Sequence, residues 1–296
     1  DYNLIQAAAK LVKIPLVAAG GFADSKQIDD GLSIAEVSAV AVGSGLHYKR
    51  ITINDVKSAL NTQTRVNYGL RMRPNSEQLN RHPLLDLDVG VIDYGMGNQQ
   101  SLINAFDRLG ANVFLSDNID LLSTSSLIAL PGVGSFPKGM YELKERRLIP
   151  FIQRWALSAK PLMGICLGMQ MLFESSDEYR PTAGLSLING NVMLMEPTDE
   201  DGINSLPLPH IGWNQIIPTD HGSPSQARFQ TSQYFVHSFS ATNVPPDIIT
   251  HSFLYGKHSY VAAVRSGSVA GFQFHPERSS DDGLAILATT ALQLTK

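Results

Sequence analysis

Residues 161–173, Pro-Leu-Met-Gly-Ile-Cys-Leu-Gly-Met-Gln-Met-Leu-Phe, constrain this chain more than any other stretch. An apolar run leads into a turn carrying Cys166 between Gly164 and Gly168, and Met169, Leu172 and Phe173 then recur at helical spacing. The two glycines remove side chains that would crowd so tight a strand-to-helix turn. Such an elbow presents its central side chain above a sheet, where hydrolases place a serine nucleophile. With cysteine in that place, the N–H groups and dipole of the following helix are expected to favour the thiolate. Cys166 is the only cysteine, which rules out an internal disulfide and fits a reducing compartment.

Strands and helices alternate around the elbow. Residues 88–94 read as a strand leaving through Gly95-Met-Gly-Asn98, and 99–109 as a helix with Leu102, Ala105, Phe106 and Leu109 on one face. Further strands are expected at 113–115 and 127–130. The latter runs into Pro131-Gly-Val-Gly134, and an amphipathic helix follows over 149–157. This order predicts an α/β domain with an open, mostly parallel sheet flanked by helices, whose ligands belong at the strand C-termini. Asn98, residues 131–134 and Cys166 all fall at such ends. After Ala183 the pattern turns to short β segments at 187–194, 210–217, 234–239, 260–264 and 269–274, closed by a helix over 283–294.

A cysteine nucleophile needs a base to take its proton, and the base needs a group that sets its tautomer. His275 leaves an apolar strand and so emerges at the sheet edge. Glu277 points to the same side if the segment stays extended, and Pro276 is expected to keep it from turning helical.

The first sixty residues carry a separate α-β-α-β-α pattern, with helices over 4–12, 23–32 and 53–60 and strands over 14–19 and 37–42. Gly20-Gly21 and Gly43-Ser-Gly45 end the two strands, where glycines let backbone N–H groups approach an anion, most often phosphate. Residues 61–86 are polar and locally basic through Arg65, Arg71, Arg73 and Arg81. They read as solvated linker, which places domain boundaries at 1–60, 61–86 and 87–296.

A chain of 296 residues, 43% hydrophobic and 17% charged, is ordinary for a globular protein of about two domains. A net charge of -4 gives no hint of nucleic acid or an anionic membrane surface as partner. No apolar run is long enough to span a bilayer, and no charged-then-apolar leader is visible, so a cytoplasmic protein is expected. Asp1 stands first without an initiator Met, which suggests a processed piece or the tail of a longer fusion. His47, His82, His210, His221, His237, His251 and His258 show no metal-ligand spacing, and no GxxxxGK[ST] loop occurs. Neither a metal nor ATP nor another cofactor is expected.

Taken together, residues 164–170 (Gly-Ile-Cys-Leu-Gly-Met-Gln), Pro131-Gly-Val-Gly134 and Gln273-Phe-His-Pro-Glu277 resemble the class I (triad) glutamine amidotransferases, over essentially all of 88–296. Asp93-Tyr-Gly-Met-Gly-Asn98, His210-Ile-Gly-Trp-Asn214 and Tyr234-Phe-Val-His-Ser238 are similar to the glutaminase subunits of imidazole glycerol phosphate synthase. Independently, residues 14–48 resemble the last quarter of that synthase's cyclase, a partial (βα) TIM-barrel segment in which Gly20, Gly21, Gly43 and Ser44 match phosphate-holding loops. Only two of eight strands and neither of the cyclase's catalytic aspartates are present, so no cyclase activity is expected of this chain.

The resemblance implies a role for each matching residue. Cys166 would attack the carboxamide carbon of glutamine, His275 would shuttle protons and Glu277 would orient His275. Oxyanion donors would come from Leu167 and from Gly132, Val133 and Gly134. Gln170 would hold the substrate with backbone around His237 and Ser238. Asn98, Trp213 and Asn214 match interface segments, as does Arg278, where the family more often has Lys. Glutamate and ammonia would form, and ammonia would pass through a tunnel to a cyclase subunit, or to the remaining barrel of a longer fusion, that makes imidazole glycerol phosphate and AICAR. Such glutaminases stay silent until the acceptor site fills, through reorientation of a peptide within 131–134. The same motifs would serve a glutaminase with another acceptor, such as sugar amidation in surface-polysaccharide synthesis, or a non-catalytic scaffold.

Overall fold

The computed structural model describes residues 5–7, 16–19, 24, 26–27, 30, 37–41, 52, 83–96, 99–219 and 230–296. The chain divides into two compact units, Asp1–Arg73 and Pro74–Lys296. In the first unit residues 5–7 are helical, and β1 (Leu16–Ala19) pairs in parallel with β2 (Val37–Ala41). Gly20, Gly21, Gly43 and Ser44 lie outside the described residues, as do residues 53–82.

The second unit opens with β3 (Asp88–Ile92), α1 (Gln99–Arg108), β4 (Asn112–Ser116), the single turn α2 (Ile119–Leu122) and β5 (Leu127–Leu130). Two helices follow, α3 (Phe136–Glu145) and α4 (Ile149–Leu157), then β6 (Leu162–Ile165) and the short α5 (Leu167–Gln170). The β-rich half comprises β7 (Ser175–Ser176), β8 (Thr182–Ala183), β9 (Asn191–Leu194), β10 (His210–Pro218), β11 (Ser232–His237), β12 (Phe239–Thr242), β13 (Ile249–Tyr255), β14 (His258–Ser266) and β15 (Val269–Phe272), and α6 (Ser280–Leu294) closes the chain. Among the described residues no helix is long and apolar enough to cross a membrane.

Nine strands form one sheet in the order β11-β10-β13-β14-β15-β6-β5-β3-β4. The expectation of a mostly parallel sheet is corrected here. From β4 to β15 all four neighbouring pairs are parallel, but from β15 to β11 all four are antiparallel, so the sheet is mixed. Hairpin connections in the second half allow this, because antiparallel neighbours need no crossover helix. A small second sheet, β12-β9-β7-β8, packs beside the first.

Strand periodicity sorts the core into two layers. Val89 and Val91 of β3, Leu127 and Ala129 of β5, and Met163 and Ile165 of β6 face one layer, shared with Phe106 of α1 and Leu287 of α6. Ile92, Ile128, Leu130 and Leu162 face the other, with Phe136, Leu143, Ile152 and Trp155 from α3 and α4. Burial on both faces explains why these strands read as continuous apolar runs, each large side chain contributing about 1.5–3 kcal/mol.

Three local expectations change. The helix after the elbow is four residues long, because Leu172 and Phe173 donate to Met169 and Gln170 three residues back and so tighten and end the turn. The expected strand over 187–194 begins only at Asn191, after Gly190 at φ 129°. Residues 276–278 form a 3-10 turn rather than an extended segment, since proline is accommodated at a first helical position, where its missing N–H would have no partner.

Candidate active site

Cys166 stands between β6 and α5 at φ 54°, ψ −111°, a conformation that costs a non-glycine residue about 1–3 kcal/mol. Close packing holds it there. A Cβ on Gly168 would lie 1.8 Å from the Leu130 carbonyl oxygen, and one on Gly164 would lie 2.7 Å from that of Gly168. Both glycines are therefore required by backbone approach within the elbow. The Cys166 amide donates to Phe272 O at 2.7 Å and ties the elbow to β15. With only four helical residues behind it, the cysteine is served by the unpaired N–H groups of a first turn rather than by an extended helix dipole.

His275 follows β15, the parallel neighbour of β6, and so reaches the same rim. Its Nδ1 lies 2.8 Å from Glu277 Oε1, with the two side chains 4% and 2% exposed. The 3-10 turn brings the pair together. Ser279, which the sequence reading did not single out, donates to His275 O at 2.6 Å and accepts from Tyr234 N at 2.9 Å, clamping the histidine backbone. His275 Nε2 is buried without a hydrogen-bond partner of its own. Burial alone would lower the His275 pKa, but the nearby Cys166 sulfur and the Glu277 carboxylate outweigh it and raise the ring to about 10. The carboxylate leaves Nε2 as the atom turned to chemistry.

A cavity of about 380 Å³ opens beside the sulfur, lined by Val133, Gly134, Cys166, Leu167, Gln170, His237 and Ser238 among others. These are seven of the residues singled out from sequence. Gly132 lies behind the wall, where a Cβ would come 2.5 Å from Tyr94 Oη. That tyrosine, also missed, donates to Pro131 O at 2.6 Å and braces the 131–134 strand, its own pKa pushed far above the phenol range by burial and by Cys166. Gln170 does not point freely at a ligand. Its Nε2 donates to Phe239 O at 2.9 Å and to Gln273 Oε1 at 3.1 Å, and Gln273 Nε2 reaches the sulfur at 4.0 Å.

Val236 and Phe239, from the 234–239 segment already read as a strand, complete the lining with Glu178, Tyr179 and Pro209, which escaped the sequence reading. Glu178 accepts from Phe136 N at 2.6 Å, fastening the β7–β8 hairpin to the start of α3, while burial raises its carboxyl above the usual range. A hydrophilic residue flanked by two short strands carries no periodic signal, so only the fold exposes its position.

Of the proposed interface residues, Trp213 is 49% exposed, on the same face of β10 as Ile211 at 61%, which was not among them. Asn214 is only half-buried and engaged within the fold, donating to Leu254 O at 2.7 Å. Arg278 is exposed, and Asn98 lies outside the described residues. Among the described residues no cluster of His, Cys, Asp and Glu could hold a metal ion.

His237 is buried beside His210 and His275, and burial lowers its pKa to about 3. A histidine depressed in the fold adds stability that is complete above its unfolded pKa near 6.5 and is lost as pH falls toward 3. Denaturant midpoints should accordingly drop between pH 6.5 and 4, by at most about 1.4 kcal/mol per pH unit for this one proton. His237→Asn should flatten that limb, and an unchanged slope would remove the assignment.

A strained cysteine beside an imidazole that a buried carboxylate orients is the arrangement of the triad hydrolases. The family model for glutamine amidotransferase class-I matches residues 90–294, and the chain belongs to that family. It is 41% identical to imidazole glycerol phosphate synthase subunit HisH of Shouchella clausii over 204 residues, 67% of this chain and 95% of that one. The HisH subunit of Bacillus licheniformis is 42% identical over 200 residues, covering 67% and 93%. Among solved structures, a glutamine amidotransferase superposes with a TM-score of 0.54 at 17% identity, covering 70% of this chain and 98% of that one. PurLQS of Thermotoga maritima gives 0.51 at 20% identity, covering 72% and 100%. These likenesses show the fold.

Proposed function

We propose that this chain hydrolyses glutamine to glutamate and ammonia for imidazole glycerol phosphate synthesis in histidine biosynthesis. The observation that carries the reading is the Cys166–His275–Glu277 set, opening on a cavity of about 380 Å³ that is ample for an amino acid such as glutamine. The identity to HisH subunits supports the pathway.

His275 Nε2 takes the thiol proton, and the thiolate attacks the carboxamide carbon. The developing oxyanion is met by backbone N–H groups of Leu167 and the 132–134 strand, each such donor worth about 2.7–4 kcal/mol in comparable enzymes. His275 returns the proton to the leaving nitrogen, and ammonia departs from a thioester. Water, with His275 as base, then releases glutamate and restores the thiol. Free ammonia is mostly protonated near neutral pH, which favours direct delivery to a cyclase subunit docked on the β10 face around Trp213. The resemblance of residues 14–48 to part of a cyclase barrel, and the parallel pairing of β1 with β2, suit a chain in which glutaminase and cyclase are joined.

Glutamate release, measured with and without an intact cyclase subunit and its nucleotide substrate, tests the reading. Stimulation by the pair is expected. Basal release indifferent to the cyclase would redirect the ammonia to another acceptor, and no release from folded protein under either condition would overturn the enzymatic reading.

A further inference from the structure

Three nitrogen-bearing side chains that the chemistry does not touch form a directed chain from the middle of β10 to the cavity wall. Its direction follows from one atom. Phe239 O can only accept, so His237 Nδ1, 2.9 Å away, carries a hydrogen. A neutral His237 then has a bare Nε2, which must accept, and its neighbour at 3.5 Å is His210 Nδ1. That nitrogen is protonated in turn, leaving His210 Nε2 to accept from Asn214 Nδ2, also at 3.5 Å. Asn214 gives its other amide hydrogen to Leu254 O and receives Gln215 N on Oδ1, which settles its orientation. Donors and acceptors alternate without conflict from Leu254 to Phe239. His210 sits in an aromatic box, stacked on Phe253 at 5.3 Å and tilted against Tyr255 at 4.4 Å, which fixes its ring plane. Burial disfavours charge on both rings, in keeping with a neutral chain.

We infer that His210 is a positioning residue that shares with the Phe239 carbonyl the setting of the His237 tautomer, its Nδ1 hydrogen occupying His237 Nε2 and so holding that ring against the carbonyl on the wall of the substrate cavity. That carbonyl also receives the amide of Gln170, so it joins the helix behind Cys166 to the segment 236–239. Asn214 lies on the same side of β10 as His210, opposite Ile211 and Trp213, so the outer end of the chain is half-buried beneath the Leu254 backbone rather than on the exposed Trp213 face. The inference rests on the functional reading above for its kinetic consequence, while the tautomer stands apart from it.

The test compares wild type with His210→Phe, which keeps the ring shape and removes both nitrogens, and His210→Asn, which restores a donor near Nδ1. Long-range 1H–15N correlation should show His237 protonated at Nδ1 alone in wild type and mixed in His210→Phe. KM for glutamine should rise about five- to tenfold in His210→Phe, the worth of one internal hydrogen bond, with kcat within about threefold and most of the loss recovered in His210→Asn. Asn214→Ala, at the half-exposed end, gives the same KM shift in smaller measure should His210→Phe fold poorly. An unchanged His237 tautomer in His210→Phe, or an Nε2-protonated His237 in wild type, would overturn the inference. Wild-type protein with the expected tautomer and no glutamine hydrolysis would overturn the functional reading and leave this assignment standing.

Discussion

Alanine at Cys166 is expected to reduce glutamine hydrolysis by about 10⁴-fold or more, since covalent catalysis has no substitute nucleophile at the rim. Among the described residues, the side chains lining the cavity include no second thiol and no lysine, and Ser238 is the one hydroxyl besides Tyr179. Alanine retains the Cβ that the strained φ of 54° already tolerates, so the elbow and its bond from Cys166 N to Phe272 O are kept. The stability of Cys166→Ala should therefore stay within about 1 kcal/mol of wild type, or exceed it if part of the elbow strain relaxes. Steady-state glutamate release, with the partner stimulus present, decides the matter. A variant within tenfold of wild type would show that another group does the attacking.

Glutamine at Glu277 is expected to cost about 10³–10⁴-fold in kcat with KM little changed, because an amide can present its NH2 to His275 Nδ1 and reverse the tautomer. The carboxylate also stabilises charge on the ring. A histidine raised in the fold contributes stability that is complete below its unfolded pKa near 6.5 and is lost as pH rises through about 10. Wild-type stability should thus decline from pH 6.5 toward 10, and the decline should shrink in Glu277→Gln, where the ring titrates lower. Denaturant titrations at several pH values read this directly. Equal slopes in both proteins would mean that Glu277 does not hold the His275 proton.

The elements readable from sequence were those where local and global signals agree. β3, β5 and β6 are buried on both faces and leave unbroken apolar runs, and the elbow announces itself through Gly164 and Gly168, whose absent side chains the packing demands. α3 was missed, because Pro137 and Gly139 break its local preference. Gly139 is needed there, since a Cβ would meet Met171 Sδ at 2.8 Å. β13 was missed as well, its polar Thr250, His251 and Ser252 concealing a strand that pairs on both sides. Cys166, His275 and Glu277 were singled out by motif, but the geometry joining His275 to Glu277 was misjudged, since residues 276–278 form a 3-10 turn, and Ser279 clamps the His275 backbone to Tyr234. Cavity residues such as Glu178 and Phe239 come together by strand pairing over long separations, which no local window contains.

β15 lies between β14 and β6, so among the described residues the last strand made is a central one. During synthesis the strand bearing Cys166 is complete about a hundred residues before its base emerges, and it has an open edge until β15 inserts. The Cys166 thiol and the His275 ring thus come together only as the sheet closes. Loss of the C-terminal thirty residues would leave two half-sheets without a common strand, so the completeness of this domain and its reactivity are governed by a single docking event.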